Sequence, residues 1–415
     1  MTKDNSNTRT PIIRFPGFTG EWREKKLNEV FSRVTRKNAE NNQNVLTISA
    51  QYGLISQLEF FKKSVASSDV TGYYLLHKGE FAYNKSSSQG RPVGAIKPLR
   101  LYDKGVVSTL YICFKCNNPE EIDFWEQYFD AGILDSEILS IAQEGARNHG
   151  LLNISTGDFF GLNVILPTPP EMKKIAECLS SFDDVITAAE NELDSLKAHK
   201  KGLMQQLFPQ PSATTPALRF PGFSGNWEKK KFKDITVPAG KKNRQNIPYE
   251  RYSISNEDGF YPQSSQFEDG GGYLKDIDCR QYIIVPPKSF AYNPARINVG
   301  SIGYQDLGKD VIVSSLYEVF QTKDGIDDTF LWQWFHTDIF RRMVINVQEG
   351  GVRQYFFYEK LRECSINLPT LSEQKIIAAC LEAEDQMIAA QEQKVESLKI
   401  HKKGLMQQLF PQPVK

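Results

Sequence analysis

From Met172 to Leu207 the apolar positions advance by alternating threes and fours: Met172, Ile175, Leu179, Phe182, Ile186, Ala189, Leu193, Leu196, Leu203 and Leu207, with Lys200 on the same line. That spacing is the seam of a coiled coil, and it predicts one long helix after Pro169. A second series, Ile377, Leu381, Ile388, Val395, Leu398, Leu405 and Leu409, has the same step, with Gln374, Glu384, Gln391 and Lys402 making its seam more polar. At 1.5 Å per residue each helix is on the order of 55 Å long. A helix that long with one apolar stripe needs a partner, so the two are expected to pair as an antiparallel coiled coil. The seam comprises Leu179, Phe182, Ile186, Leu193, Leu196 and Leu203 on one helix and Leu381, Ile388, Val395, Leu398 and Leu405 on the other. In that register Lys200 falls near Glu384 and Lys402 near Asp183.

Ahead of each helix the period is closer to two. Val45–Ser49, Gly79–Tyr83 and Gly105–Cys116 read as strands and Glu121–Ile138 as a helix; Arg280–Val285, Asp310–Gln321 and a helix at Asp328–Ile345 echo them. Each region is predicted to be an α/β or α+β domain. The echo is a true repeat: HKKGLMQQLFPQP at His199–Pro211 returns letter for letter at His401–Pro413, and RFPGFTGEW at Arg14–Trp22 returns as RFPGFSGNW at Arg219–Trp227. Between these bookends the likeness is faint, as in Phe81-Ala82-Tyr83-Asn84 against Phe290-Ala291-Tyr292-Asn293, and Ser108-Thr109-Leu110-Tyr111 against Ser314-Ser315-Leu316-Tyr317. The frame is written twice and filled differently. The expected layout is a domain over residues 1–165, a helix over 166–208, an extended Pro-rich linker over 209–218, a second domain over 219–367, and a second helix with its tail over 368–411.

Composition narrows the class. The 415 residues hold 50 Lys+Arg against 50 Asp+Glu, 40% apolar side chains and six cysteines. No run approaches the roughly 18 apolar residues that cross a bilayer, and the opening residues lack an apolar signal region. Scattered cysteines suit a reducing compartment, so a soluble, cytoplasmic chain without a membrane partner is expected. Cys113 and Cys116 lie in a β-branched, aromatic run and are expected to pack in the core. Charge is uneven despite the neutral sum. Glu171–Asp194 holds seven acidic residues against two lysines, whereas Lys85, Arg91, Lys97, Arg100 and Lys104 face only Asp103, and Arg280, Lys288, Arg296 and Lys309 face Asp306. Two basic lobes suited to phosphate, on acidic helices, are the expectation.

Catalytic signatures are missing. The sequence has no G-x-x-x-x-G-K-[ST] or G-x-G-x-x-G, and Asn293-Pro294-Ala295-Arg296 lacks the second proline and the aromatic residue of an adenine methyltransferase motif. His199 and His401 have no Cys, Asp or Glu at ligand spacing, so no metal site is expected.

The long helices open on Leu166-Pro167-Thr168-Pro169-Pro170-Glu171-Met172-Lys173-Lys174-Ile175 and Leu368-Pro369-Thr370-Leu371-Ser372-Glu373-Gln374-Lys375-Ile376. With the KKGLMQQLFPQ endings, the FPGFxGxW openings and the duplication itself, the whole chain resembles the specificity subunit of Type I restriction-modification enzymes. The resemblance implies a non-catalytic subunit with pseudo-twofold symmetry. Each of its two target recognition domains reads one half of a bipartite double-stranded DNA target, and the helices set the spacing. Its implied partners are two modification (methyltransferase) subunits and restriction (endonuclease and translocase) subunits. S-adenosylmethionine, ATP and Mg2+ belong to those partners, and no cofactor to this chain. An assembly adaptor without DNA readout is one rival reading, and a DNA methyltransferase or nuclease is another.

Candidate readers follow a strand in a polar loop: Asn84, Lys85, Ser86, Gln89 and Arg91 in the first domain, Asn293, Arg296 and Asn298 in the second. Ordinary turn chemistry also selects Asn and Ser. Arg147, Asn148 and His149, and Arg353 and Gln354, sit where the family has a Gly-led loop beside the last strand. Arg can fork onto guanine, and Asn or Gln onto adenine. The aromatic openings, Phe15, Phe18, Trp22 and Phe220, Phe223, Trp227, either anchor each entry segment or offer a docking surface for a partner.

Overall fold

The computed structural model describes residues 10–49, 53–61, 69–87, 91–142, 150, 152–256, 259–266, 278–348 and 355–411. The chain divides into two units, and the division falls inside both long helices, Pro169–Leu207 and Leu371–Leu409. One unit joins Met1–Glu190 with Gln393–Lys415; the other is Asn191–Glu392. Each therefore consists of one domain, the front half of that domain's own helix, and the back half of the other repeat's helix.

In the first unit, strands Phe31–Arg33, Ile112–Cys116, Phe81–Asn84 and Ala95–Pro98 form an antiparallel sheet in that order. Phe81 sits opposite Phe114 with the rings stacked 5.4 Å apart. Helix Ile122–Asp130 adds Phe124, Trp125, Tyr128 and Phe129 to the same apolar cluster. The opening strand Arg23–Lys26 pairs with Asn163–Leu166, the strand that leads into the long helix. Arg14 closes this junction: its guanidinium donates to both oxygens of Glu171 at 2.6 and 2.7 Å and to the Gly20 carbonyl at 2.5 Å. Glu171 is 1% exposed, in the first helical turn, where the helix dipole favours a carboxylate.

The second unit is built to the same plan. Thr236–Pro238, Glu318–Thr322, Ser289–Tyr292 and Ile302–Gln305 form the sheet, with Phe290 opposite Phe320. Helix Asp328–Phe335 covers it, Glu228–Lys231 pairs with Ser365–Leu368, and Arg219 grips Glu373 at 2.9 and 2.8 Å.

The helices pair antiparallel within each unit. In the first, Lys402 Nζ donates to Asp183 at 2.6 Å and Lys399 meets Glu190 at 2.6 Å; in the second, Lys200 meets Asp385, and Lys197 meets Glu392 at 2.7 Å. Gln127 and Gln333 each add a hydrogen bond to the same aspartates, at 2.7 and 2.8 Å. Lys402 thus lies where the seam register puts it, while the expectation for Lys200 is corrected. It takes Asp385, and Glu384 faces His199 Nδ1 at 3.3 Å. The repeat gives the reason, since Asp183 and Asp385 occupy the same position in the two copies. Along the seam Leu179, Ile186, Leu381 and Val395 are buried, and Phe182, Leu193, Leu196, Leu203, Ile388, Leu398 and Leu405 half-buried.

Both helix ends are core elements. Met406, Leu409 and Phe410 join the apolar cluster of the first unit, with Phe410 edge-on to Trp22, Phe124 and Tyr128. Leu207 and Phe208 do the same for the second. The identical HKKGLMQQLFPQP endings therefore serve as the last piece of each other's domain.

Four sequence expectations change. Gly105–Cys116 is two strands, Lys104–Val107 and Ile112–Cys116, separated by a turn in which Tyr111 N–H returns to Ser108 O; Tyr317 N–H returns to Ser314 O in the second copy. Residues 121–138 break at Gly132, whose φ of 70° a helix cannot hold. Residues 328–345 break at Thr337, whose hydroxyl caps Phe340 N–H at 3.3 Å. The Pro-rich linker is not simply extended, because Trp227 N–H binds Thr214 O at 2.7 Å and Asn367 Nδ2 binds Ala213 O at 2.9 Å.

Candidate nucleic-acid interface

The loop after Phe81–Asn84 is fixed by backbone bonds. Asn84 Oδ1 accepts the Ser86 N–H at 3.1 Å, Ser87 N–H donates to Gly150 O at 2.6 Å, and Leu152 N–H donates to Lys85 O at 3.0 Å. Gly94 lies beneath it with φ +83°, and a Cβ there would stand 2.0 Å from the Asn84 carbonyl. Only glycine fits such an approach.

The second unit rebuilds this device with other residues. Asn293 Oδ1 accepts the Ala295 N–H at 3.0 Å, and Phe356 N–H donates to Pro294 O at 3.0 Å. Asn298 lies in the short helix Ile297–Val299, which ends at Gly300 with φ 94°. In both units the chain emerging from the Gly-led segment is thus bonded to the residue after the Asn. Gln89, Arg147, Asn148 and His149, and Arg353 and Gln354, lie outside the described residues. Leu152 and Phe356, just beyond them, are held on the loops that follow Asn84 and Asn293.

Asn84 and Asn293 each accept one loop N–H on the side-chain oxygen, a bond that uses neither that oxygen's second lone pair nor the Nδ2 amide. Ser86 and Arg296 are exposed; Lys85, Arg91 and Asn298 are half-buried.

The expectation of two free basic lobes is corrected, because most of those cations have carboxylate partners distant in sequence. Lys97 meets Asp130 at 2.6 Å, with Arg91 3.6 Å from the same carboxylate; Arg100 meets Glu126 at 2.9 Å and Lys104 meets Glu40 at 2.7 Å. In the second unit Lys309 meets Glu250 at 2.8 Å and Arg280 lies 3.8 Å from Asp278. Burial raises the Glu126 carboxyl while Lys97 and Arg100 pull it down. Lys85 Nζ reaches the Ile154 carbonyl at 3.4 Å, and among the described residues Lys288 and Arg296 have no carboxylate partner. Positive charge at the interface is local to these few side chains.

Four of the six aromatic residues in the openings are anchors. Trp22 and Trp227 are 2% and 3% exposed, and Phe15 and Phe220 pack against the same clusters. Trp227 Nε1 also donates to Glu373 at 3.3 Å. The Arg–Glu clasps escaped the sequence reading although their signal was present, since Arg14 and Arg219 open the repeated FPGF segments and Glu171 and Glu373 recur in the helix openings.

Cys113 and Cys116 are buried in one strand, and burial pushes their thiols up to about 12 and about 11. Such thiols stay protonated and slow to react. Iodoacetamide at pH 8 is expected to leave both unlabelled in the native chain and to label both in denaturant; native labelling would contradict the packing. Among the described residues no group of three His, Cys, Asp or Glu could hold a metal ion, and no helix is long and apolar enough to cross a membrane.

Residues 225–399 match the family model described as the Type I restriction modification DNA specificity domain. Among curated proteins, the Type I restriction enzyme MjaVIII specificity subunit of Methanocaldococcus jannaschii is 24% identical over 291 residues, which is 65% of this chain and 66% of that one. The putative MjaX specificity subunit of the same organism is 25% identical over 272 residues, 60% and 58% of the two chains. The matched stretches span just under two thirds or less of these relatives. Among solved structures, the S subunit of the Type I restriction-modification system from M. genitalium superposes with a TM-score of 0.54 at 12% identity, over 98% of this chain and 100% of that one. A chain from a structure on the assembly and conformational transition of the type I R-M system gives 0.53 at 15% identity, over 95% and 98%. At such identities these two likenesses speak for the fold. The match to the specificity domain lies in residues 225–399, and the frame of the repeat that holds it is written once more upstream.

Proposed function

We propose that this chain is the DNA-addressing subunit of a Type I restriction-modification complex, supplying sequence recognition and leaving the chemistry to its partners. Each unit reads one half of a bipartite duplex target, and the helix pair sets the spacing. Two modification subunits dock on the chain and methylate adenine with S-adenosylmethionine, and restriction subunits add ATP- and Mg2+-dependent translocation and cleavage. The observation that carries this reading is one loop device built twice, on the same Asn side-chain turn and one matching backbone bond, and furnished with different side chains. A split, asymmetric target calls for that combination, because base-edge contacts must differ between halves while the scaffold and its phosphate contacts can stay alike. Paired readers serve half-sites about one helical turn, on the order of 34 Å, apart.

Among the described candidates, Arg296 is the best placed to meet DNA, being exposed and without a carboxylate partner; Lys85, Ser86, Arg91 and Asn298 follow. Gln89, Arg147, Asn148, His149, Arg353 and Gln354 complete the set. Adenine methylation mapped genome-wide, with the chain's gene present, deleted and restored, tests the proposal. A split motif is expected to disappear on deletion and return on restoration, and an unchanged map would reject it.

A further inference from the structure

Beside the reading loop of the second unit, two large aromatic rings face outward. Tyr355 and Phe357 are 44% and 48% exposed, and their rings stack with centroids 5.4 Å apart and planes 20° apart. They alternate with Phe356 and Tyr358, which are 0% and 4% exposed. The core takes every second side chain of this stretch, and alternation along extended chain turns the other two out. The Phe356 N–H bond to Pro294 O fixes the stretch to the loop that carries Arg296, itself exposed and without a carboxylate partner among the described residues.

The frame does not require these rings. In the first unit Leu152 makes the equivalent bond to Lys85 O, and the residues flanking it in sequence are Leu151 and Asn153. A protein docked alike on both repeats would call for the same surface on both. DNA half-sites differ, so a feature confined to one repeat and continuous with its reading loop points to DNA.

We propose that Tyr355 and Phe357 form a stacking platform for an unstacked base in the DNA half-site read by the second unit. Exposed rings on a stretch bonded to the loop that carries a cation suit a nucleobase, whose flat face stacks on them while a cation of that loop takes a phosphate. Side chains of this kind also wedge into a base step and open it. The inference rests on the DNA-reading function proposed above.

The test uses the full-length chain assembled with its modification subunits. The probes are duplexes carrying the split motif recovered from the methylation map, with 2-aminopurine placed in turn through each half. With the wild-type complex, fluorescence is expected to change at one position of the second half. Y355A/F357A is expected to lose that signal and to bind about tenfold to hundredfold more weakly. The Y355F and F357Y variants, which keep the rings, should retain both signal and affinity. An unaltered melting temperature and unaltered signals in the first half show that the fold is intact. Undiminished affinity of the double alanine variant, or a fluorescence change that survives it, overturns the platform while leaving the DNA-reading function standing. A wild-type complex with no preference for the split motif removes both.

Discussion

Ending the chain at Leu398 is expected to unfold the first unit and leave the second folded. The deletion removes Met406, Leu409 and Phe410 from the cluster around Trp22, Phe124 and Tyr128, together with the Lys399–Glu190 and Lys402–Asp183 pairs. Burying a large apolar side chain contributes about 1.5–3 kcal/mol, so three contribute roughly 5–9 kcal/mol. A whole domain has only about 5–15 kcal/mol of net stability. Hydrogen exchange gives the readout. Amides in Ile122–Asp130 should lose protection while those in Asp328–Phe335 keep it, and equal protection in both would contradict the interlocked arrangement. Phe410→Ala alone should cost about 3–5 kcal/mol in the first unit. A chain ending at Pro211 sharpens the point. It lacks the native tail of the first unit but carries the same thirteen-residue sequence at its own end, the length of one helix away from where it would be needed. Two copies can exchange tails, so a dimer is expected by light scattering, and a stable monomer would count against the exchange.

Removing Arg219 is expected to be nearly as damaging to the second unit. Glu373 is 1% exposed and draws two hydrogen bonds from that guanidinium, with Trp227 Nε1 as a further donor at 3.3 Å. Arg219→Met leaves a buried carboxylate without its counterion, a change that costs about 3–5 kcal/mol. Arg219→Met combined with Glu373→Leu removes both charges and should recover much of that loss. Denaturant midpoints of the single and double variants decide the matter. If the double variant is no more stable than Arg219→Met, the clasp is not what holds the entry segment to the helix. Arg14 and Glu171 offer the same test in the first unit.

What the residues reveal in advance depends on how far apart in sequence the partners lie. The long helices were readable because their three-and-four step is a local property, and the repeat located both without any structure. The breaks at Ser108, Gly132 and Thr337 were missed because the apolar pattern continues across them; a turn bond, a left-handed φ and a hydroxyl cap end the elements there. The count of basic residues between Lys85 and Lys104 was true of the sequence but misleading about the surface. The carboxylates that neutralise Arg91, Lys97, Arg100 and Lys104 come from Asp130, Glu126 and Glu40, which no local window contains. The tail exchange was hidden for a different reason: identical endings cannot say which domain each one completes. In the loops, the Asn that recurs after Phe-Ala-Tyr is legible as a candidate reader, and its side-chain oxygen also takes part in the turn, a second role the sequence does not separate from the first. The residues around it, Arg296 among them, differ between the two repeats.

The claim that each unit addresses its own half of the target is tested most directly by mapping adenine methylation in cells whose chain carries Arg296→Ala beside Tyr355→Ala and Phe357→Ala. The expected map keeps the first half of the split motif intact and relaxes the second alone. A map in which both halves degrade together, or in which the first half changes instead, would contradict the assignment of one reader to each unit.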